Sequence, residues 1–211
     1  MKKNGFLSVM AALLTFAALS LAGCDNGGGG GTQTGGTTIE GMVRIPGGSF
    51  QMGNPDTSVG WGSERPVHTV TLNSTATGYR LPTEAQWEYA AKGGNGSPGN
   101  YTYSGSNNLN DVGWYDNNSN SMTHEVGKKS PNGLGLYDMS GNVFEWCWDW
   151  YGYDSYSSSA QNNPAGPVSG SSRVLRGGSR SRDASEARSV DRNFNSPYYR
   201  GIDYGFRLVR P

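Results

Sequence analysis

The sequence has little cysteine and little histidine, and each shortage excludes a class of site. Its 211 residues include two Cys, Cys24 and Cys147, and two His, His68 and His124. Cys24 falls in a predicted targeting segment, so Cys147 has no partner for an intrachain disulfide in the mature chain. Two histidines are too few for a three-histidine metal or iron site. Packing must therefore hold the fold, with a metal ion as the one further source of stability.

Net charge is also missing, because 17 Lys and Arg balance 17 Asp and Glu. A neutral chain creates no broad positive field, so we expect no nucleic-acid partner. The charge is nevertheless uneven: Arg173 to Pro211 holds nine Arg, no Lys and four acidic residues. Arg suits buried, bidentate ion pairs better than Lys does. We therefore predict that most of these arginines pair with acids elsewhere in the domain.

The only long apolar run lies at the start of the chain. Two lysines precede the run Phe6 to Leu19, which is too short for a transmembrane helix and is typical of a signal peptide. The run leads to Leu21-Ala22-Gly23-Cys24, which resembles the lipobox of bacterial lipoproteins. The resemblance predicts a signal peptide over residues 1–23, lipidation of Cys24 and attachment to a membrane of the bacterial cell envelope. The alternative is an ordinary signal peptide with a chance cysteine.

Residues 24–38 are rich in Gly and Thr, with five consecutive glycines from Gly27 to Gly31. Such a segment cannot bury apolar surface and is typical of a flexible tether. We therefore predict a folded domain over residues 39–211.

Two strand patterns and one helix pattern open this domain. Residues 41–53 alternate on both sides of Gly47-Gly48, which predicts a β-hairpin, and the β-branched residues 66–72 predict a further strand. Residues 80–94 predict a helix with Thr83 and Gln86 as a capping box and two glycines at its end. Glu84 and Glu88 need no explanation beyond the helix dipole on this interpretation.

The stretch Pro131 to Trp150 has a stronger pattern. A turn and a tight polar loop around Gly141 precede a period-two strand in which Phe144, Trp146, Trp148 and Trp150 share one face. Glu145, Cys147 and Asp149 occupy the other face. Four large rings bury much apolar area, so we predict that the aromatic face points into the core.

Five motifs in order carry a family resemblance: IPGGSFQMG, RLPTEAQWEYAA, PNGLGLYDMSGNVFEW, RVLRGGS and GFRLV. Together they resemble the formylglycine-generating enzyme, or sulfatase-modifying factor, family over residues 42–210. The resemblance implies an α+β fold of the C-type lectin-like type, rich in loops, with small mixed sheets and few helices. It also places RVLRGGS and GFRLV on framework strands at either end of residues 180–204.

Two departures from the family pattern bear on activity. Family enzymes bind copper through two cysteines shortly after the Gly-Gly-Ser turn, and the matching positions here are Arg182 and Ala187. Without thiolates there is no soft copper site and no thiol chemistry, so we expect no copper and no catalytic residue. Only residues 73–79 lie where family members carry a longer segment with helices, so this domain is either naturally short or carries a deletion.

The resemblance also implies a calcium site in the loop 138–145. By position, Asp138 and Glu145 supply carboxylate oxygens, and Gly141 and Val143 supply backbone carbonyls, which is the mixed oxygen set that calcium takes. The alternative is that Asp138 stabilises a turn and Glu145 pairs with an arginine.

Residues 180–204 resemble the variable region of proteins diversified by retroelements, in which adenine-directed mutation randomises exposed positions. Between apparently fixed Gly, Ser, Pro and Arg positions lie residues reachable from Asn codons, although Arg180 departs from the aromatic residue usual after Gly-Gly-Ser. A surface loop that varies without selection is the alternative. The mixture of rings and short polar groups resembles a paratope. The predicted ligand contacts are Arg180, Arg182, Asp183, Asp191, Asn193, Phe194, Asn195, Tyr198, Tyr199, Asp203 and Tyr204.

Three functions compete at this point. The first is a surface-tethered, non-catalytic protein that binds a protein or glycan ligand at the cell surface through residues 180–204. The second is a formylglycine-generating oxidase, which the missing cysteines disfavour. The third is a structural envelope lipoprotein. The composition of residues 180–204 favours the first.

Overall fold

The structure is a computed structural model that describes residues 43, 45, 47–72, 79–94 and 100–210. The predicted signal peptide, the tether and Cys24 lie outside the described residues. No helix in the described ranges is both long and apolar enough to cross a membrane.

The fold is α+β, with two small sheets and few helices. The strands are β1 (Gly48–Met52), β2 (His68–Leu72), β3 (Phe144–Trp150), β4 (Gln161–Asn162), β5 (Arg173–Arg176), β6 (Asn193–Asn195) and β7 (Tyr204–Gly205). The helices are α1 (Glu84–Ala91), α2 (Leu109–Val112) and 3-10 turns at Gly62–Glu64 and Ala184–Ala187.

Each sheet mixes parallel and antiparallel pairs. The first has the order β1-β2-β4, in which β1 is antiparallel and β4 parallel to β2. The second has the order β6-β5-β3-β7, in which only β3 and β7 are parallel. The mixed pairing confirms the sheet type that the resemblance implies.

Helix α1 contributes to two of the three hydrophobic clusters in the described residues, and it begins where the sequence predicts. The Thr83 side chain accepts a hydrogen bond from Gln86 N, and the Gln86 side chain accepts one from Thr83 N. Ala85 and Tyr89 pack with β1 and β2, whereas Trp87 packs with Cys147 of β3. A helix buried on all sides joins the two clusters, so its polar residues are buried as well.

The predicted hairpin over residues 41–53 is wrong. Gly48 is already within β1, and β1 pairs along its whole length with β2 rather than with a strand before Gly47. Val43 and Ile45 lie outside any strand, and the residues between them lie outside the described ranges. Pairing of all five β1 residues with β2 is therefore favoured over a local hairpin turn at Gly47-Gly48.

The predicted orientation of β3 is also wrong, because its faces are reversed. Glu145, Cys147 and Asp149 are buried, whereas Trp148 is 52% exposed and its neighbours on that face are half-buried. Phe144 is the one ring of this strand in the core, at 1% exposure. The strand is irregular at its centre, where Trp148 N donates to Pro82 O instead of to β5.

The C-terminal half matches the sequence predictions at β5 and departs from them elsewhere. Arg173–Arg176 forms the predicted strand, and Gly177 and Gly178 form the turn with φ of 90° and 67°. The predicted strand 205–209 is shorter, because only Tyr204–Gly205 joins β3 and Val209 instead bridges Arg80. Residues 180–204 are also more than a loop, since they contain β6 and a 3-10 turn.

Candidate functional site

Buried ion pairs form a layer beneath the second sheet. The pairs are Arg176 with Glu88 and Glu84, Arg192 with Glu84, Arg188 with Glu64, and Arg207 with Glu145. All four acids are at most 4% exposed. Four of the nine C-terminal arginines thus pair with acids outside their segment, so the predicted pairing holds for these four but not for most of the nine. The ion pairs also replace the helix-dipole explanation of Glu84 and Glu88.

Two of these arginines fix the first part of residues 180–204 to the body of the domain. Arg188 donates to both oxygens of Glu64, at 2.9 Å each. Arg192 donates to both oxygens of Glu84, at 2.6 Å and 2.8 Å, and to Ser63 O. Bidentate pairs hold both position and angle, so the backbone that leads into β6 is anchored.

Burial has the largest effect on the pKa values of the carboxyls in this layer, and neighbouring charges have the next largest. Burial raises the pKa of Asp191 to about 8, although Arg188 opposes the rise. Burial and the neighbouring Glu84 raise the pKa of Asp149 to about 7. Burial alone would also raise the pKa of Glu88, but Lys92 and Arg176 hold it below its ordinary value. The layer therefore contains Glu88, whose pKa is held low, and two carboxyls, Asp149 and Asp191, whose pKa values lie near neutral pH.

The second part of residues 180–204 forms an exposed aromatic surface. Phe194 is 50% exposed, Tyr198 89% and Tyr199 49%, and Ile202 is exposed beside them. The Phe194 ring stacks on Tyr151 with centroids 4.2 Å apart. These three predicted contact residues are on the surface, as a ligand-binding role requires.

The remaining predicted contacts divide by exposure. Arg182 and Asp183 are exposed, and Asp183 caps the 3-10 turn by accepting from Ser185 N. Asn193 and Asn195 are half-buried on β6. Asp203 is half-buried and accepts from Ser181 Oγ at 2.7 Å, and Tyr204 OH accepts from Asn195 Nδ2 at 3.2 Å.

Two predicted contacts are corrected by their burial. Arg180 is 9% exposed, and its guanidinium donates to Ser121 O. Asp191 is 2% exposed and pairs with Arg188 at 3.3 Å. Both side chains hold the segment in place and neither lies on the candidate surface.

The sequence prediction missed a cluster formed by Trp148, Trp150 and Arg173, which lies on the face of the second sheet that also carries Asn195. The Arg173 guanidinium carbon lies 3.7 Å from the Trp150 ring centroid and 5.5 Å from that of Trp148. Arg173 also donates to Trp148 O. The alternation of tryptophans was the available signal, but it was assigned to the core.

The contacts of the loop 138–145 do not match the predicted calcium site. Arg207 donates to Glu145 Oε1 and Oε2, at 2.6 Å each, and Trp87 Nε1 donates to Oε2, also at 2.6 Å. Asp138 accepts from Gly127 N at 2.8 Å, and its other oxygen is buried with no partner in the described residues. Gly141 O accepts from the amide of Val143.

Glu145 thus has its charge neutralised by an arginine, which is the alternative interpretation of this loop. Burial raises the pKa of Asp138, which further weakens it as an anionic ligand. Among the described residues, no three His, Cys, Asp or Glu side chains are placed to hold a metal ion. A comparison of melting temperatures in calcium and in chelator tests whether a calcium ion nevertheless binds this loop.

The positions of the family's catalytic cysteines carry no thiol chemistry here. Arg182 is exposed, with its guanidinium 5.7 Å from the Phe144 ring centroid, and Ala187 is buried at 1% exposure. Cys147 is fully buried beside Trp87 and Val174, and burial raises its thiol pKa well above the ordinary value. A buried, protonated thiol is a poor nucleophile.

Comparisons with known proteins agree with this geometry. The solved structure of Treponema denticola variable protein 1 matches with a TM-score of 0.60 and 48% identity, covering 66% of this chain and 50% of that one. The structure of PvdO from Pseudomonas aeruginosa matches with a TM-score of 0.66 over 82% of this chain and 99% of that one; at 22% identity it shows the fold alone. The C-type lectin-like fold type is confirmed.

Sequence relatives extend the comparison. The chain is 50% identical over 103 residues to chaperone protein LppX of Paenibacillus barcinonensis, covering 40% of this chain and 36% of LppX. It is 36% identical over 164 residues to the formylglycine-generating enzyme of Streptomyces coelicolor, covering 68% of this chain and 51% of that enzyme. The matched part of the chain thus spans about a third of the length of LppX and about half of the length of the enzyme. Residues 73–211 match the sulfatase-modifying factor enzyme 1-like domain, and the chain therefore belongs to that family.

Proposed function

We propose that this chain is a non-catalytic ligand-binding lipoprotein, tethered to the bacterial cell envelope, whose binding face is centred on residues 193–204. One observation carries the proposal: exposed rings at Phe194, Tyr198 and Tyr199 stand on a backbone anchored by the buried arginines Arg188 and Arg192. Exposed side chains on a rigid scaffold are the usual arrangement of a binding surface.

The face suits a protein or glycan ligand rather than a small molecule in a deep pocket. Tyrosine and phenylalanine give broad contact area at a low cost in side-chain entropy, and the neighbouring Asn193 and Asn195 give adaptable hydrogen bonds. The chain's match to a variable protein of Treponema denticola supports a binding face that differs between copies. A flanking reverse transcriptase gene with an adenine-rich near-copy of the 3′ end would establish such diversification. Flanking DNA that contains neither of these elements would contradict diversification by a retroelement.

The proposal is tested by removing the three rings together. The full chain and the variant Phe194→Ala/Tyr198→Ala/Tyr199→Ala are screened against a random-peptide phage library and a glycan array. We expect binders of the unmodified chain to lose at least tenfold in affinity, while the melting temperature stays within a few degrees. Equal binding by both proteins, or unfolding of the variant, contradicts the proposed face.

The tether and the missing catalysis have separate tests. Lipidation of Cys24 predicts that Cys24→Ala releases the protein from membranes during detergent-free fractionation, and unchanged partition would refute the anchor.

The copper-loaded protein should not convert the cysteine of a sulfatase-derived peptide to formylglycine. Conversion would restore the enzyme hypothesis.

A further inference from the structure

In the cluster Trp148–Arg173–Trp150, the guanidinium of Arg173 lies between two tryptophan rings and has no anionic partner among the described residues. Arg173 forms no ion pair with any carboxylate in the described part of the chain. By contrast, Arg176, Arg188, Arg192 and Arg207 are each paired with a carboxylate. The Arg173 guanidinium is a planar fork of N–H donors that matches a carboxylate in geometry, and no carboxylate of the described residues faces it.

The unpaired guanidinium is held in place. It donates to Trp148 O and lies over the Trp150 ring. Gly170 lies close against Trp150, since a Cβ added to Gly170 would be 3.0 Å from Trp150 Cβ and 3.4 Å from Trp150 Cε3. Because its rotamers are already restricted, Arg173 would lose little entropy when it binds an anion.

The cluster is continuous with the proposed binding face. Arg173 of β5 pairs with Asn195 of β6, so their side chains share one face of the sheet. Asn195 in turn donates to Tyr204 OH, and the Tyr204 ring contacts Tyr199 at 4.9 Å between centroids. A ligand on the Tyr199 side can therefore reach Arg173 across the sheet surface.

Contacts at this face would come from side chains. Phe194 N donates to Asn193 Oδ1, and Ser196 N donates to Asn195 Oδ1, each at 2.8 Å. One backbone donor of the edge strand β6 and the donor that follows the strand are thus already satisfied, which disfavours the addition of a partner strand. Recognition has to use the rings and the guanidinium.

We propose that Arg173, between Trp148 and Trp150, binds a carboxylate side chain of a protein partner, beside an apolar side chain that packs on the exposed Trp148 ring. This inference rests on the proposed function and names the chemistry of its ligand. Charge complementarity calls for an anion at Arg173. Trp148 and Tyr199 expose rings on the Arg173 side of the sheet, whereas Phe194 is paired with Val174 and points to the opposite side, where it stacks on Tyr151. Trp, Tyr and Arg dominate the energetics of protein–protein interfaces. A protein with an Asp or Glu next to an apolar residue meets both requirements.

The test uses the full chain and a phage library of random dodecapeptides. We expect enriched peptides to contain Asp or Glu next to an aromatic or aliphatic residue. Synthetic copies should bind at least tenfold more weakly to Arg173→Gln and to Trp148→Ala. Arg173→Lys should also weaken binding, because an ammonium cannot form the bidentate pair. The control Arg210→Gln removes another exposed arginine and should leave binding unchanged.

A double-mutant cycle identifies the carboxylate that is bound. Replacing the peptide's acidic residue by its amide should weaken binding to the unmodified chain and have little effect on binding to Arg173→Gln. Equal loss in both backgrounds overturns the pairing. Melting temperatures of all variants are measured, and Arg173→Gln and Trp148→Ala give two independent routes to the result.

The remaining outcomes separate this inference from the proposed function. Peptides that need Phe194, Tyr198 and Tyr199 but bind Arg173→Gln normally overturn the inference and leave the binding face intact. Arg173-dependent binding of oligogalacturonate, with no enriched acidic peptide, assigns the anion to a glycan and overturns the protein partner. No enrichment of acidic peptides and no binding of oligogalacturonate overturn the inference outright.

Discussion

The two faces of strand β3 reverse the usual relation between polarity and burial. Its inward face carries Glu145, Cys147 and Asp149, all at most 3% exposed, whereas its outward face carries three tryptophans that stay partly in solvent. Buried carboxylates are tolerated because arginines and backbone amides satisfy them, as Arg207 does for Glu145. In this strand, ion pairs and hydrogen bonds stabilise the buried face, and aromatic rings form the exposed face.

The inward face should be intolerant of the loss of a single charge. Arg176 is fully buried and pairs with Glu88 and Glu84. Arg176→Met leaves Glu88 with Lys92 and Glu84 with Arg192 as their remaining cationic partners. We therefore expect it to cost roughly 3 kcal/mol of unfolding free energy, the lower end of the range for a broken buried pair. Urea denaturation measures the loss.

The exposed pair of Arg182 and Glu186 supplies the control for that experiment. Their atoms lie 3.6 Å apart, and the Arg182 side chain is 46% exposed. Arg182→Met should cost about 1 kcal/mol or less, because surface ion pairs contribute little. Similar losses for Arg176→Met and Arg182→Met would contradict the distinction between the two regions.

Two phenylalanines sharpen the same comparison with apolar side chains. Phe144 is 1% exposed and Phe194 is 50% exposed. Phe144→Ala should lower the unfolding free energy by about 3–5 kcal/mol through lost burial and a cavity. Phe194→Ala should lower it by about 1 kcal/mol or less, since the ring loses only its stack on Tyr151. Matched chemical melts test both, and a large loss at Phe194 would make that ring part of the core.

Asp149 is a buried carboxyl without a bidentate arginine partner, and its protonation should make the stability of the protein depend on pH. The folded-state pKa of Asp149 is about 7, whereas an unfolded aspartate has a pKa near 4. The folded state therefore holds a proton that the unfolded state has released, so Asp149 makes stability fall as pH rises from about 4 to about 7. Asp149→Asn, which can still accept from Glu84 N, should remove that fall.

We expect the stability of Asp149→Asn relative to the unmodified chain to rise by about 2 kcal/mol between pH 5 and pH 8. Urea denaturation at several pH values provides the measurement. The exposed Asp154→Asn serves as the control and should show no such trend. A relative stability that is flat or falls with pH would show that Asp149 is charged in the folded protein throughout this range.

Local sequence signals predicted the elements that depend on neighbouring residues. The capping box of α1 and the Gly177-Gly178 turn need only adjacent positions, and both are confirmed. The family resemblance is confirmed too, and four of the nine C-terminal arginines pair with distant acids. These features follow from local geometry or from residue type.

The errors concern partners that lie far apart in sequence. A period of two shows which residues of β3 share a face but not which face is buried, and that choice depends on Arg207, 62 residues from Glu145. The burial of Glu84 depends on Arg192, 108 residues away. The same limit explains why Asp191 was placed on the surface and why Trp148 was assigned to the core.

The smallest expected effect is that of calcium on the inward face. Because Arg207 and Trp87 already occupy the oxygens of Glu145, calcium would have to displace a buried guanidinium to bind there. We therefore expect the same melting temperature in excess calcium and in chelator. Glu145→Gln should lower the melting temperature equally in both conditions, because it leaves the Arg207 charge unpaired. A ligand that binds the folded state adds about 2.7 kcal/mol at a hundredfold excess over its Kd, so even moderate binding would be visible. A rise in calcium that Glu145→Gln abolishes would show that a metal ion replaces the arginine at this carboxylate.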